Sequence, residues 1–429
     1  MPNRRFADKK LLVLGSNAGS EAVVNYARKY GAYTIVADYL APEASPAKLL
    51  ADENVLISTA DTDTLVHLVK ERQIDAIFAG ISEFNILQAM EVAKRCGLRF
   101  YCNHEQWDAV EHKDSFRRLC EEFSVPCPHT FYSGNDLNKI PWEEIRYPVV
   151  CKPIDCGASI GVHICSNESG LKRAVIDSRE KSDAATVIIE QFCTGYEFTA
   201  HYTVCNSHVA LACIDNRYPV AVHEGAVTTI PAARVYPSLF TDEYIKLADA
   251  PMKRLIESLG LVNAVVFIQG LYDDATGTFS IFEAGLRSAA ECPSRFIERV
   301  NGINYMNMLV DYLLLGETDY DQGREDPYLS GKCCAIVSFV GRRGVVDRVV
   351  GLDQTLPGVI ETELRYPSGA EIPDTDTLRQ IALRFVVIGD NREDLSGDID
   401  HINSSVDIVD ISGNSLVIKI DSNRVFQLF

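Results

Sequence analysis

Val265-Val266-Phe267-Ile268-Gln269 and Ser280-Ile281-Phe282-Glu283-Ala284-Gly285-Leu286-Arg287 are two apolar runs separated by the turn-forming sequence Asp273-Asp274-Ala275-Thr276-Gly277. The pattern predicts an antiparallel strand pair. Each run carries a hard oxygen donor near its end, Gln269 in one and Glu283 in the other, and Arg287 follows Glu283 by two pleats on the same face. Magnesium takes such oxygens and usually shares its shell with nucleotide phosphates, so Gln269 with Glu283 suits that ion. A single glutamate ending a strand is more often a solvated rim residue. The order of segments upstream of the pair has to decide.

Upstream, Val187-Ile188-Ile189-Glu190-Gln191-Phe192 is an apolar strand closing in a carboxylate, followed by Gly195-Tyr196-Glu197-Phe198. Before it, Pro148-Val149-Val150-Cys151-Lys152 ends an apolar run on a lysine, where a charge disrupts burial unless it meets something. The loop Asp155–Val162, with Gly157, Ser159 and Gly161, is small enough for backbone N–H groups to approach phosphate oxygens. A hairpin with a snorkelling lysine is the plain alternative. A helical pattern over Lys113–Phe123 precedes these strands, a helix from about Glu168 lies between them, and another spans Asp242–Leu259.

The first hundred residues alternate strand and helix. Strands are expected at Leu11–Leu14, Tyr33–Ala37, Val55–Ile57 and Ala76–Ala79, with helices after Gly19, over Leu65–Arg72 and over Phe84–Cys96. Such a series favours a parallel, doubly wound sheet. Gly15, Gly19 and Asp38 invite comparison with a dinucleotide site, but the GxGxxG spacing is absent and a structural glycine turn is the simpler reading. Ser82 and Glu83 either cap the following helix or touch a substrate. Past Gly331, strands are expected at Cys333–Phe339, Val345–Val350, Val406–Ile411 and Ser415–Ile420, and the acidic, turn-rich stretch Gly316–Gly331 is the candidate linker. Arg234 and Arg295 are candidate clamps for a substrate carboxylate, against the default of surface arginines.

The chain has 429 residues, 47% hydrophobic and 24% charged, with a formal net charge of −19. Its length calls for more than one core. Its acidity argues against a nucleic-acid surface, which needs clustered Lys and Arg, and no apolar run is long enough to span a membrane. Thirteen cysteines lie scattered without metal spacing, which suits free thiols in a reducing, cytoplasmic setting. Met1–Lys10 has no apolar stretch behind it, so no signal peptide is expected.

Taken in order, these segments resemble the ATP-grasp superfamily, in particular its biotin carboxylase and carbamoyl-phosphate synthase-like branch. The resemblance implies an α/β and α+β fold: a Rossmann-like parallel-sheet domain over residues 1–110, an ATP-grasp domain over 111–320 with its lid at about 125–195, and a C-terminal α+β, β-rich domain over 331–429. By motif, Lys113 and Lys152 are similar to the lysines that meet the ATP phosphates, and Gly157, Ser159 and Gly161 to the lid loop. Glu190 and the Phe192 backbone resemble the adenine contacts, Glu197 the ribose ligand, and His223 a histidine near the phosphates. Gln269 and Glu283 match the magnesium positions, and Arg287 the arginine beside the transferred phosphoryl group. Gly80-Ile81-Ser82-Glu83-Phe84 resembles a biotin carboxylase stretch. Leu356–Val359 and Val387–Glu393 look like the C-terminal domain of L-amino acid ligases.

The resemblance implies a Mg·ATP-dependent ligase joining a small carboxylate to an amine, both of the amino acid kind, through an acyl phosphate. Dimers are common in that branch, so a homodimer is its implied assembly. The alternatives it leaves are a biotin- or purine-type carboxylase, a carbamoyl-phosphate-like synthase and an ATP-binding module without turnover. An NAD-dependent dehydrogenase would rest on Gly15, Gly19 and Asp38 alone. Two departures stand out. Gln269 stands where many members carry the other metal carboxylate, although the carbamoyl-phosphate branch also uses Gln there. The second lies in the strand motif. The usual Glu-x-Asn-x-Arg motif reads Glu283-Ala284-Gly285-Leu286-Arg287, so an amide ligand is missing.

Overall fold

The structure, a computed structural model, describes residues 4–156, 160–222, 230–375 and 377–426. Its N-terminal sheet is parallel throughout, with strands in the order Glu53–Leu56, Tyr33–Asp38, Lys10–Leu14, Ala76–Phe78. Lys10–Leu14 is central and buried along Leu11–Leu14, as an apolar run covered on both faces must be. The helix Ser20–Lys29 lays Val23, Val24 and Ala27 against the sheet and stops before Gly31, whose φ of 95° suits glycine. Ser82 caps the helix Glu83–Cys96 by accepting from the Asn85 N–H.

Next comes a four-stranded antiparallel sheet ordered Thr130–Gly134, Val187–Gln191, Val149–Pro153, His163–Cys165. The helix Glu168–Lys181 packs on it, and Ile140, Val149, Leu171, Val175 and Ile189 give this unit a small core of its own. The larger central sheet runs His208–Ile214, Tyr196–Cys205, Ala264–Asp273, Thr278–Gly285. Its last two strands form the antiparallel pair expected across Asp273–Gly277. Its core is continuous with that of the N-terminal unit.

The third sheet corrects part of the sequence reading. Asn216–Val220 and Ile230–Tyr236 fall within the strand-rich stretch 197–285, yet they leave the central sheet: Asn216–Val220 pairs with Ile230–Tyr236, which in turn pairs with Cys333–Gly341. Every residue of Ile230–Tyr236 is buried, which a position inside a six-stranded sheet explains. The single strand expected at Val345–Val350 is two short ones, Gly344–Val345 and Arg348–Val350, paired with different partners. Ile381–Gly389, central and wholly apolar on its inner face, Val359–Leu364 beside it, and the short Val417–Ile418 against the end of Cys333–Gly341 complete the sheet. The expected linker is held in place: Thr203 Oγ donates to Glu325 at 2.8 Å, Gln322 Nε2 donates to the His208 carbonyl at 2.9 Å, and Leu329 is fully buried.

Candidate active site

Of the expected residues, Lys113, Lys152, Glu190, Gln269, Glu283 and Arg287 gather where the central sheet, the small four-stranded sheet and the N-terminal unit meet. Register places Gln269 directly opposite Glu283, with Thr199 on the other side of Gln269. One pleat repeat along the same face, Phe267 lies between Gly285 and His201. Both oxygen donors of the predicted pair thus stand side by side on one face. Arg287, just past the strand, stacks its guanidinium 4.5 Å from the Phe267 ring centre and donates from Nε to Glu83 Oε1 at 3.1 Å, with a second bond from Nη2 to the same oxygen. Glu83 therefore faces the site, while its neighbour Ser82 serves as a helix cap.

The corner at His112, between the helices His104–Glu111 and Lys113–Phe123, delivers two titratable groups. Lys113 Nζ donates to the Cys156 carbonyl at 2.7 Å. Burial, and the nearby Lys152 ammonium, pull Lys113 below its ordinary value against the pull of Glu283. Glu111 enters from the other side of the corner. Burial, reinforced by the Glu83 and Glu283 carboxylates, pushes it up to about 8. Nothing in the sequence singled it out, because a glutamate ending an amphipathic helix reads as a solvated one.

Lys152 meets its charge in a buried triad. Its Nζ lies 2.6 Å from Glu190 Oε2, and Arg117 holds Glu190 Oε1 from Nε at 2.7 Å and from Nη2 at 2.6 Å. Arg117 also donates to the Ile281 carbonyl at 2.7 Å, tying the triad to the strand that carries Glu283. Glu190 is 1% exposed, and burial would raise its pKa, but Lys152 and Arg117 overcome it and hold the carboxylate below its usual range. Both of its oxygens are occupied inside the protein. The Phe192 N–H likewise donates inward, to the Pro148 carbonyl at 3.3 Å. Arg117 was missed from sequence; its only signal is its place four residues after Lys113, on the same helix face.

Glu197 accepts from Arg217 Nη1 at 2.6 Å and lines a cleft of about 170 Å³ with Tyr196, Asn216 and Tyr218. Gly195 at its mouth has φ 143°, and a Cβ there would lie 2.6 Å from the Tyr272 carbonyl carbon, so only glycine fits. Gly161 closes the loop that begins after Lys152: its carbonyl accepts from Ser178 Oγ at 2.8 Å, while Asp155 Oδ2 accepts from Ser182 Oγ at 3.0 Å. Gly157, Ser159 and His223 lie outside the described residues.

Beneath the floor, Arg234 donates to Thr199 Oγ at 2.7 Å and pairs with Asp215 at 2.9 Å and Glu291 at 3.0 Å. Burial opposes ionisation of Glu291, but Arg234 and Arg384 prevail and bring it down to about 2, whereas burial wins at Asp215 and raises it. Burial lowers His201 to about 3, so its ring is neutral. Arg295 is also buried and bound, to Glu361 and Glu363 of the third sheet. Neither arginine is the surface residue assumed by default, and both are consumed by protein carboxylates. Asp38 is spoken for as well, accepting from Ser45 Oγ at 2.6 Å and pairing with buried Lys48 at 2.9 Å, which removes the ribose ligand a dinucleotide site would need.

The missing amide at position 285 has a structural reason. A Cβ there would run into the Phe267 ring, opposite in register, and would lie 2.8 Å from Glu111 Oε1. Glycine makes room for both. Among the described residues, no group of three or more His, Cys, Asp and Glu is arranged to hold a metal, so any ion here must rely partly on Gln269 and on oxygens from its own ligand.

Residues 129–216 match the family described as D-ala D-ala ligase C-terminus. The L-amino acid ligase of Bacillus licheniformis superposes with a TM-score of 0.76 at 16% identity, covering 94% of this chain and 99% of that one. The fold is ATP-grasp. The biotin carboxylase domain of the 2-oxoglutarate carboxylase of Hydrogenobacter thermophilus, solved as a dimer with MgADP and bicarbonate, agrees with a TM-score of 0.77 at 16% identity over 93% of this chain and 90% of its own. In sequence, the formate-dependent phosphoribosylglycinamide formyltransferase of Prochlorococcus marinus is 28% identical over 204 residues, 46% of this chain and 52% of the relative. The chain spans about half the length of the curated relatives it matches. The ATP-grasp floor, the paired oxygen donors and the two lysines thus belong to one architecture. All thirteen cysteines are free, and no helix among the described residues is long and apolar enough to cross a membrane.

Proposed function

We propose that this ATP-grasp protein is an ADP-forming ligase that phosphorylates a small carboxylate with Mg·ATP and passes the acyl group to an amine. The observation that carries this is the direct pairing of Gln269 with Glu283, with Lys113 close enough to feel Glu283 and Lys152. An amide and a carboxylate fit a hard divalent ion, and two ammonium groups fit the triphosphate it accompanies. Bound there, magnesium would neutralise charge on the phosphate oxygens.

The residues then divide the work. A substrate carboxylate oxygen attacks the γ-phosphorus, the bond to the β,γ-bridging oxygen breaks, and ADP leaves with that electron pair. Lys113 and Lys152 stabilise the charge spread over the transferred oxygens, in a setting where few waters compete. Glu190, saturated by Lys152 and Arg117, fixes the lysine rather than reading the base. An amine attacks the acyl phosphate carbonyl and expels phosphate. Arg287, braced by Glu83 and the Phe267 ring, faces the oxyanion of that step. Glu197 in its cleft is the ribose contact. The loop Asp155–Val162 is assigned to the phosphates by motif alone, where its closure would exclude the water that hydrolyses the acyl phosphate. His223 is assigned to the phosphates by motif alone.

The amine acceptor is favoured by the match to the L-amino acid ligase over nearly the whole of both chains. A second reading, with bicarbonate or formate as the acid, is favoured by the bicarbonate-bound neighbour and the formate-dependent relative. Phosphate release from ATP across a matrix of amino acids, hydroxy acids, formate, bicarbonate and amines, with mass detection of products, separates the two. The expected result is an amide product with ADP and phosphate. Release of AMP and pyrophosphate would sink the proposal.

A further inference from the structure

The site leaves one carboxylate without a task. Glu111 ends a helix that packs on the strand Thr278–Gly285, and its Oε1 is sealed from solvent with no hydrogen-bond partner. Buried in this way, the ionised form of a carboxyl group is strongly disfavoured unless a cation reaches it. The protein's own cations are engaged elsewhere: Arg287 bonds Glu83 and the Ser288 carbonyl, and Lys113 bonds the Cys156 carbonyl. That same Oε1 stands 2.8 Å from where a Cβ at position 285 would begin. In the Glu-x-Asn-x-Arg pattern, position 285 carries the amide oxygen this chain lacks. Glu283, two residues back on the same face, and Gln269 opposite it lie alongside.

We infer that Glu111 takes the place of the missing Asn and joins Gln269 and Glu283 as a ligand of the divalent cation. The inference rests on the function proposed above. Its donor set is two carboxylates and an amide, hard oxygens throughout, with phosphate oxygens and water completing the shell. Gly285, Phe267 and Glu111 then form one exchange: the side chain lost from the strand lets the Phe267 ring close over it, and the carboxylate returns from a neighbouring helix. A ligand from outside the strand keeps the charge of the site without the usual motif.

Manganese is the probe, counted as free ion by electron paramagnetic resonance in titrations with the non-hydrolysable ATP analogue AMP-PNP. Wild type is expected to bind manganese in the ternary complex. Glu111→Gln, nearly isosteric but uncharged, is expected to weaken manganese by about tenfold or more, since even groups that only orient a ligand cost that much. Glu111→Ala, which removes a buried oxygen that has no hydrogen-bond partner and so keeps the fold, is expected to weaken it at least as far. Binding of a fluorescent ADP analogue without metal should be unchanged in both. Manganese affinity within twofold of wild type in both variants would overturn the inference while leaving the proposed function standing. If wild type itself binds no manganese beside AMP-PNP, the proposed function falls and the inference with it.

Discussion

Replacing Glu190 by glutamine separates two roles that the sequence alone runs together. Glu190 is 1% exposed, and each of its oxygens receives a cation at 2.6 Å, Lys152 at one and Arg117 at the other. A glutamine can still accept from one of them, but its NH₂ must then point at the other, leaving a buried cation unpaired. Breaking a buried ion pair from one side costs about 3–5 kcal/mol. Unfolding in urea, followed through Trp142, which packs against the core of the small four-stranded unit, should show a loss of that order for Glu190→Gln. Had Glu190 instead accepted from the adenine amino group, the variant would lose a charge-assisted bond worth roughly 1.5–3 kcal/mol, or about ten- to hundredfold in the preference for ATP over GTP. The geometry predicts that this preference, read by competition with a fluorescent nucleotide, changes by less than about threefold. Lost selectivity with unchanged stability would refute the reasoning.

Gly285→Asn should destabilise by about 1–3 kcal/mol through overpacking against Phe267 and Glu111, and Glu111→Ala in the same chain should recover part of the lost melting temperature. Arg287→Lys cannot keep both bonds to Glu83 or the stacking on Phe267, and turnover with the active substrate pair should fall about a hundredfold with little change in nucleotide affinity. Glu291, held at about 2 in the folded protein against 4.5 as its ordinary value, contributes stability that is complete above about pH 4.5 and is lost as pH falls towards 2. The shift corresponds to on the order of 3 kcal/mol, and Glu291→Gln should flatten the acid limb of a melting-temperature profile between pH 5 and 3.

What was legible in the sequence was what local pattern controls. The four parallel strands announce themselves because apolar runs such as Leu11–Leu14 alternate with helices that end in Gly31 and Gly97. The hairpin itself is announced by its turn residues, which set Asp273 opposite Thr278, but Gln269 faces Glu283 only because the register shifts between Gln269 and Gly270, a bulge the sequence pattern does not show. What stayed hidden depends on partners far along the chain. Arg117 looks like one of two consecutive surface arginines until the strand ending at Gln191 comes to lie across it. Glu111 matters because Gly285 leaves a space, and the two are 174 positions apart. Ile381–Gly389 is an apolar run whose strand identity is set by neighbours on both sides.

The central claim is that a substrate carboxylate is phosphorylated directly. With the active acid labelled by ¹⁸O in its carboxylate and turned over with ATP and the amine, the inorganic phosphate released should carry one ¹⁸O per turnover, seen as an isotope-shifted ³¹P resonance. Unlabelled phosphate, or label appearing in AMP, would contradict the account.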